Sequence, residues 1–498
     1  MKFSGARRRF LGRTSRYFGA AATLTVQGGF ATLLHTPGEV HAEVTCGLPT
    51  SEFHPVDLRA VGINLAFYGG FGGGAPTPAL IRTIAAMGVG HVRWPGGELA
   101  NYWDWRRNQP KPYPGYPHWG EKGLKIEDLA WLAGRGIMPI LILNMLTDTL
   151  ESQMAMLEYL DAAGVPIGKI ELGNEFYLTA KEKPDYAVAF PKPESYASKA
   201  ALWADVIRAK FPGVEIAAVA SSRGDQAARC WNSAISVQAK HFDAVSLHGY
   251  ARLSDEKPIR LPRSLEPMEL QQTEARRLML PTGLDDEVSI FEHNLYKFLN
   301  AAFVNLPQIE AVWFTELNKA PMLSYVNGTW LHGLFVATMF LALFSRPEVR
   351  LATLYNLCGP STYAAIYRVP WALDGLDGAT PKVTINSYSP CGLVLAMIAG
   401  AFQGAREVGV SWEPESRCHI ASVRADEGER MIAINLSKYD SQLSCSQASF
   451  KINQINCMQY PPLRRFSVET VEPLSLAELK TVHNHTITCP AYSVCVIS

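Results

Sequence analysis

Eight short apolar segments follow one another through the first four fifths of the chain, and segments with helical periodicity separate them. Continuous apolar strands that alternate with helices are typical of a parallel sheet covered on both faces. Eight strand–helix units in succession fit a closed (β/α)8 TIM barrel, so the sequence predicts a protein of the α/β class. The eight segments run over residues 60–70, 90–97, 137–146, 169–176, 214–222, 242–250, 310–318 and 349–357.

The helical candidates between these strands begin and end at recognisable residues. Several of them end in glycine, a common stop signal for a helix. The most apolar one, residues 331–344, is too short for the ~20 residues that cross a bilayer, so it predicts a buried helix and no membrane span. The helical candidates named from the sequence are 78–88, 125–136, 150–164, 196–213, 331–344 and 389–405, of which the last is the expected eighth helix.

The sequence pattern changes after residue 404. Segments such as CHIASVRADEGERMIAINLSK and TVHNHTITCPAYSVCVIS alternate in polarity, are rich in β-branched residues and contain turn residues. This pattern predicts an antiparallel β-sandwich. We therefore expect a barrel domain over residues 56–404 and a C-terminal β-sandwich domain over residues 405–498.

The first 42 residues have the composition of an export signal. The cationic run RRRFL, Arg7 to Leu11, fits the twin-arginine motif. A mildly apolar stretch follows and ends in the small-residue cleavage pattern Val40-His41-Ala42. We expect residues 1–42 to be a signal peptide of a secreted or periplasmic protein, and the alternative is an ordinary basic tail.

The net charge and the aromatic content of the chain limit the classes of molecule that it can bind. Lys and Arg together number 46 and Asp and Glu number 46, so the formal net charge is zero. A nucleic-acid-binding protein shows a basic excess, which argues against that class of partner. Aromatic residues make up 10% of the chain, which is compatible with a sugar-binding cleft and equally with an aromatic-rich core.

Polar residues follow the apolar part of several predicted strands. In a (β/α)8 barrel the catalytic groups lie at the carboxyl ends of the strands, where all eight ends meet. Two carboxylic acids, Glu175 and Glu316, follow the fourth and seventh strands, so the fold brings them to one mouth. The candidate substrate-binding residues at the same ends are Arg93, Trp94, Asn144, Asn174, His248 and Tyr250.

Two carboxyl groups at one site have a well-defined use in glycoside hydrolysis. One stays protonated and donates to the leaving oxygen, and in retaining enzymes the other attacks the anomeric carbon. Repulsion between nearby carboxylates raises one of the two pKa values. We expect Arg93 to keep Glu316 ionised, Tyr250 to donate a hydrogen bond to Glu316, and Asn174 to bind the sugar hydroxyl beside the anomeric carbon.

These motifs resemble the retaining glycoside hydrolases of clan A. The segment LGNEF, residues 172–176, matches the Asn-Glu signature after strand four. RWPGGELANYWDW, residues 93–105, resembles the Pro-Gly-Gly segment of α-L-arabinofuranosidases, as does the stretch 329–357. The resemblance implies that Glu175 is the acid/base, that Glu316 is the nucleophile, and that neither a metal nor another cofactor is needed. Heparanase and β-glucuronidase enzymes resemble the chain almost as well.

Several alternatives accompany this interpretation. Glu292 also follows an apolar run and is a second candidate nucleophile, while Glu171 is expected to be a partner within the barrel. The segment from Gly70 to Ala75 matches the dinucleotide pattern G-x-G-x-x-A, but the second strand then lacks the required acid. Trp94 is as compatible with the core as with a sugar platform. A non-catalytic carbohydrate-binding barrel is the alternative from outside the enzymes.

Overall fold

The computed structural model contains a closed barrel of eight parallel strands. Around the barrel their order is β10-β11-β12-β3-β4-β7-β8-β9, so the first strand pairs with the last. The eight strands are β3 (Val61–Asn64), β4 (His91–Trp94), β7 (Met138–Ile142), β8 (Lys169–Glu171), β9 (Glu215–Val219), β10 (Ala244–Arg252), β11 (Ala311–Ala320) and β12 (Val349–Leu354). The residues that the structure describes are 45–46, 52–65, 78–112, 123–252, 281–320, 330–359, 363–367, 388–411, 417–444, 450–455, 480–482 and 486–497.

Helices lie between the barrel strands, as the alternating pattern requires. All six helical candidates named from the sequence are present. The helices are α1 (Pro78–Ala86), α2 (Ile126–Ala133), α3 (Leu150–Ala162), α4 (Pro184–Ala189), α5 (Pro193–Lys210), α6 (Gln226–Val237), α7 (Pro281–Val304), α8 (Trp330–Phe344) and α9 (Pro390–Ala401), with short 3-10 turns at Glu98–Tyr102 and Ala239–His241.

Helix α8 lies in the core. Every residue of α8 is buried, and it contacts barrel strands as well as strands of the C-terminal sheet. Its first residue, Trp330, donates from its indole nitrogen to the carbonyl of Tyr492 at 2.7 Å. The helix is therefore apolar because it packs between two layers of the fold, and no helix among the described residues has the length and hydropathy of a membrane span.

The second part of the fold is a sandwich-like pair of sheets. Seven strands form one sheet in the order β2-β15-β16-β17-β22-β19-β20, with antiparallel pairing throughout, and three form another in the order β1-β18-β21. The predicted (β/α)8 barrel with a C-terminal antiparallel β-sandwich is confirmed. The strands are β1 (Thr45–Cys46), β2 (His54–Pro55), β15 (Ala405–Ser411), β16 (Cys418–Ala425), β17 (Gly428–Asn435), β18 (Ser441–Ser444), β19 (Phe450–Ile455), β20 (Lys480–Val482), β21 (Thr486–Cys489) and β22 (Ser493–Ile497).

Two of the strands in these sheets precede the barrel in the chain. Strand β2 pairs with β15, and β1 pairs with β18. The sequence pattern places the sandwich entirely after residue 404, and it misses these two-residue strands. The remaining short strands, β5 (Trp103–Asp104) with β6 (Gln109–Pro110) and β13 (Cys358–Gly359) with β14 (Ile366–Tyr367), form two separate pairs that follow barrel strands β4 and β12.

Candidate active site

Arg93 is the centre of the polar cluster inside the barrel mouth. It is the third residue of β4 and is fully buried. Its Nε donates to Glu171 at 2.5 Å, its Nη1 to Glu316 at 2.8 Å, and its Nη2 to the side-chain oxygen of Asn174 at 2.9 Å. A buried guanidinium is tolerated only when its donors are paired. The three hydrogen bonds therefore fix the guanidinium of Arg93 and orient the side chains of Glu171, Asn174 and Glu316 around it.

A β-bulge aims Glu316 into the mouth. The register between β10 and β11 shifts after Leu247, so that His248 lies opposite Glu316 and Thr315 is left without a partner in that ladder. Because a bulge breaks strict alternation, two consecutive side chains face the barrel interior. Thr315 donates to Glu171 at 2.6 Å while Glu316 accepts from Arg93.

Glu316 has donors on both carboxylate oxygens. Its Oε2 accepts from the Tyr250 hydroxyl at 2.5 Å, and its Oε1 accepts from Arg93 and, at 3.5 Å, from the Asn64 amide. The residue is only 4% exposed. These three donors therefore hold the Glu316 carboxylate in one orientation.

The segment LGNEFYL turns sharply where β8 ends. Gly173 has φ +94, and a Cβ there would lie 1.9 Å from the ring of Phe176. Glu175 also has a positive φ, +52, a conformation that costs energy for a residue with a side chain and that concentrates at functional sites. Phe176 stabilises the turn because its ring packs 5.2 Å from that of Tyr186 and 4.6 Å from that of Phe190.

This turn places the carboxyl group of Glu175 beside His248 in the barrel mouth. Its Oε1 lies 2.8 Å from Nδ1 of His248 and accepts from the Tyr177 hydroxyl at 3.0 Å. The side chain of Glu175 is 25% exposed, against 6% for that of Glu316. Of the two acids, Glu175 is thus the one within reach of solvent.

His248 lies between the two acids. Its Nδ1 is 2.8 Å from Glu175 and 3.5 Å from Glu316. One oxygen of each acid and one ring nitrogen of His248 all lie within 4.8 Å of one another. Two carboxylates and an imidazole are a donor set that divalent transition metals accept, but Arg93 beside Glu316 opposes the approach of a second cation.

The pKa values of these groups follow from burial and from their neighbours. Burial and the charge of Glu175 raise the pKa of Glu316, although His248 and Arg93 act in the opposite direction. Burial also raises the pKa of Glu175, but His248, the hydroxyl of Tyr177 and Arg93 outweigh it and leave that pKa below its ordinary value. Burial lowers the pKa of His248, and the two glutamates outweigh it, so that pKa is raised.

A count of charges explains why these titrations are linked. When His248 is protonated, it and Arg93 face three carboxylates, those of Glu171, Glu175 and Glu316. The cluster thus has one surplus negative charge, which a single bound proton neutralises. Groups this close bind that proton as a unit. A contact that shifts the pKa of one acid therefore shifts the pKa of the other as well.

Two of the residues predicted to bind substrate lie away from this cluster. Trp94 follows Arg93 on β4 and lies in the hydrophobic core, where its indole donates to the carbonyl of Leu124 at 3.3 Å. The Asn144 amide donates to the carbonyl of Trp103 at 3.1 Å and to Thr147 at 2.9 Å, so it holds neighbouring loops together. The structure brings the other four, which are Arg93, Asn174, His248 and Tyr250, together with the two predicted catalytic acids, Glu175 and Glu316.

The alternative nucleophile Glu292 lies elsewhere in the fold. It is on α7, where it contacts His419 of β16 at 2.9 Å and Arg417 at 3.4 Å. It joins the barrel to the C-terminal sheet and is not part of the mouth. The glycine-rich segment 70–75 and the export segment 1–42 lie outside the described residues.

Glu171 is the partner within the barrel that the sequence predicts, and three further residues of the cluster have roles that the sequence did not suggest. Glu171 pairs with Arg93, Thr315 donates to Glu171, Asn64 donates to Glu316 and Tyr177 donates to Glu175. For Asn64 a signal exists, because it ends the first barrel strand and so occupies the carboxyl-end position used for the others. Thr315 carries no such signal, since only the bulge turns it inward.

Comparison with solved structures places this fold among known enzymes. A family 51 α-L-arabinofuranosidase from Bifidobacterium longum aligns with TM-score 0.57 at 16% identity, over 91% of this chain and 97% of that one. An α-L-arabinofuranosidase from Thermotoga maritima aligns with TM-score 0.58 at 15% identity, over 90% of this chain and 98% of that one. The chain therefore shares with these enzymes the fold of a (β/α)8 barrel with a C-terminal β-sandwich.

A third solved structure has a different specificity. It is a 4-O-α-L-rhamnosyl-β-D-glucuronidase from Fusarium oxysporum 12S, with TM-score 0.55 and 12% identity, over 91% of this chain and 100% of that one. No protein-family model matches the sequence, and no curated protein matches it either. At these identities the likeness concerns the fold, and the chemistry has to be argued from the site.

Proposed function

We propose that the protein is a retaining glycoside hydrolase that acts through Glu175 and Glu316. The observation that carries this proposal is the separation of the two acids, which is at most 4.8 Å between one oxygen of each. Retaining enzymes hold their carboxyl groups about 5–5.5 Å apart, whereas inverting enzymes leave about 6.5–9.5 Å for a water molecule. The short separation also disfavours a barrel that binds sugar without cleaving it.

The roles of the two acids follow from the permanence of their donors. Glu316 is paired with Arg93, which stays protonated in any working pH range. Glu175 is paired with His248, which, unlike an arginine, can lose its charge as the pH rises through its raised pKa and can then no longer hold that carboxyl ionised. The Nε2 of His248 faces Arg93 at 3.4 Å, an arrangement that suits a neutral ring with its proton on Nδ1. On this ground, and because Glu175 is the more exposed of the two acids, we assign Glu316 as the nucleophile and Glu175 as the acid. The pKa shifts without substrate, lowered for Glu175 and raised for Glu316, point the other way, and the assignment rests on the permanence of Arg93 rather than on them.

The reaction has two steps. A carboxylate oxygen of Glu316 bonds to the anomeric carbon while the glycosidic bond breaks and its oxygen takes the proton of Glu175. Glu316 is then an uncharged ester, which removes its repulsion of Glu175. Glu175 takes a proton from water, the water oxygen bonds to the anomeric carbon, and the ester bond to Glu316 breaks.

The substrate is a poly- or oligosaccharide, and we propose an α-L-arabinofuranoside as the first choice. Two of the solved structures with this fold are α-L-arabinofuranosidases, and the segment after β4 resembles the same enzymes. A β-glucuronide is the second choice, because the Fusarium enzyme acts on a glucuronide and shares the fold.

The proposal is tested with p-nitrophenyl glycosides, among them the α-L-arabinofuranoside and the β-D-glucuronide. Glu316→Gln should lower kcat by several orders of magnitude, because the nucleophile is lost. Glu175→Gln should lower kcat by roughly 10²–10⁴-fold, the usual worth of general acid–base catalysis, because hydrolysis of the ester loses its base. On these substrates kcat/KM should fall less, since p-nitrophenolate leaves without needing a proton. Glu292→Gln is the matched control, since it changes the same functional group outside the mouth, and it should keep wild-type kcat.

Product analysis separates retention from inversion. Proton NMR of the first-formed sugar should show the anomer of the substrate. An inverted product, wild-type rates in both glutamine variants at the mouth, or a wild-type protein that cleaves none of the glycosides would overturn the proposal.

A further inference from the structure

Tyr177 touches the acid/base and has no part in the scheme above. Its hydroxyl donates to Oε1 of Glu175 at 3.0 Å, and Nδ1 of His248 lies 2.8 Å from the same oxygen. Among the described residues, nothing donates to Oε2 of Glu175. The two oxygens of this carboxyl group are therefore inequivalent.

We propose that Tyr177 is a positioning residue for Glu175, which ties down Oε1 and leaves Oε2 as the oxygen that exchanges the proton. This inference rests on the proposed function and deepens it. Oε2 gives its proton to the glycosidic oxygen as the glycosidic bond breaks, and later takes one from water as the water oxygen bonds to the sugar. Oε1 keeps its two hydrogen bonds throughout.

A second contact holds Tyr177 in place. Arg223, which follows β9, donates to both carboxylate oxygens of Glu182 at 2.7 and 3.1 Å. Its guanidinium carbon lies 5.8 Å from the centre of the Tyr177 ring. Glu182 also accepts from the backbone and hydroxyl of Thr179, both at 2.9 Å. This clamp, Arg223 with Glu182, fixes the loop that carries Tyr177 against the neighbouring loop.

The clamp is stiffer than an ordinary surface ion pair. Bidentate Arg–carboxylate geometry fixes the angle between two groups as well as their distance. Arg223 lowers the pKa of Glu182 to about 2, largely through this hydrogen-bonded pair. Glu182 therefore stays ionised over the working pH range, and the clamp stays closed while Glu175 titrates.

The hydrogen bond from Tyr177 shifts the pKa of Glu175 in a definite direction. A hydroxyl that donates to a carboxylate stabilises its ionised form, so Tyr177 helps to keep the pKa of Glu175 low. Loss of the hydroxyl should raise that pKa. The enzyme would keep its acid protonated to higher pH, and it would be a poorer base in the second step.

The decisive experiment is a pH profile of Tyr177→Phe with a glycoside whose leaving alcohol needs the proton of Glu175, such as the methyl glycoside of the sugar that the wild type cleaves best. The alkaline limb of kcat/KM should move to higher pH, and the maximum should fall roughly tenfold, the worth of one ordinary hydrogen bond. NMR of protein labelled with ¹³C at glutamate carboxyls gives a readout without substrate. The Glu175 signal, identified by its loss in Glu175→Gln, should titrate at higher pH in Tyr177→Phe.

Tyr196→Phe is the matched control. Tyr196 is buried, and its hydroxyl donates to the carbonyl of Leu172 at 2.9 Å. Leu172 lies three residues before Glu175 in the chain. Removal of this hydroxyl should lower the Tm and leave the pH profile unchanged. If Tyr196→Phe moved the alkaline limb as far as Tyr177→Phe does, the effect would be structural and the inference wrong.

The clamp is tested by a double-mutant cycle. Glu182→Gln alone should shift the alkaline limb in the same direction as Tyr177→Phe, by less. In the Tyr177→Phe background the same change should add nothing, because the hydroxyl that the clamp positions is gone. Unchanged Glu175 titration in Tyr177→Phe overturns this inference alone, whereas wild-type inactivity on every glycoside overturns the proposed function and the inference with it.

Discussion

His91 and His248 lie on barrel strands at opposite ends of the same barrel, and both are 4% exposed. Burial and the charge of Lys169 lower the pKa of His91 to about 4. The pKa of His248 is raised, because two glutamates outweigh the same effect of burial. Equal burial thus gives opposite shifts, and the sign of the surrounding charge decides the outcome.

The two ends differ in charge balance. At the base, Lys169 contacts Asp57 at 2.8 Å and Glu215 at 2.9 Å, and the Glu215 side chain is half exposed. At the mouth, Arg93 and both of its carboxylate partners, Glu171 and Glu316, are buried. Water screens the base cluster and is excluded from the mouth cluster, so we expect the same type of substitution to cost more at the mouth.

The largest effect should come from removal of the cation at each end. Arg93→Met leaves two buried carboxylates unpaired and should lower the free energy of unfolding by about 3–5 kcal/mol. Lys169→Met should cost about 1–2 kcal/mol, because it removes partly exposed ion pairs and the cation–π contact that Lys169 makes with the Trp313 ring at 4.6 Å. Urea unfolding of both variants makes the comparison. Glu171→Gln added to Arg93→Met should recover part of the loss, and equal costs at the two ends would refute the contrast.

The histidines should give opposite pH dependences of stability. The pKa of folded His91, about 4, lies below its unfolded value. Its contribution is therefore present above about pH 6.5 and is lost as the pH falls through about 4, by about 3 kcal/mol in all. His91→Leu should lack that acid loss in urea unfolding measured across this range. Parallel curves for the variant and the wild type would contradict the assignment.

For His248 the sign is reversed. Its folded pKa is raised, so its contribution is complete below about pH 6.5 and fades as the pH rises through the folded value. His248→Gln should therefore be destabilised relative to the wild type in mild acid, and the two curves should converge at alkaline pH. The same series of urea titrations measures this, and a deficit that grew with pH would sink the interpretation.

The last comparison concerns two buried hydroxyls, for which we expect smaller effects than for Arg93. Thr315 donates to Glu171 at 2.6 Å, whereas the hydroxyl of Ser246 has no partner among the described residues. Thr315→Val should cost about 1–3 kcal/mol, because it leaves a buried carboxylate oxygen unsatisfied. Ser246→Ala should be neutral or stabilising. Thermal unfolding of the two variants makes the comparison. A marked fall in the Tm of Ser246→Ala would show that the Ser246 hydroxyl has a hydrogen-bond partner after all.

The sequence predicts most of the barrel because its signal is repeated. All eight strands and all six named helices are present, since each apolar run must be covered by the helix that follows. Strands β1 and β2 are missed, because two residues cannot display a period. The cluster is predicted as far as strand ends reveal it, and those ends supply Arg93, Glu175 and Glu316.

The rest of the site depends on features that only the folded chain fixes. Both faces of a barrel strand are buried, so apolar content does not say which face is inside. Alternation from Arg93 would have sent Trp94 outward, and its position in the core agrees. No such argument finds Thr315, whose direction depends on the bulge, or Tyr177, which reaches Glu175 only because the chain turns back after Gly173.

Strand β2 has a consequence for how the chain is made. His54 and Pro55 leave the ribosome before the whole barrel, yet their sheet partners, Val408 and Glu407, leave it after the barrel. Pairing across so many residues is slow, because a long loop must close before the contact forms. The pairing of β2 with β15 at the edge of the C-terminal sheet can therefore form only after the barrel has been synthesised. In nascent chains stopped before β15, strand β2 has no partner.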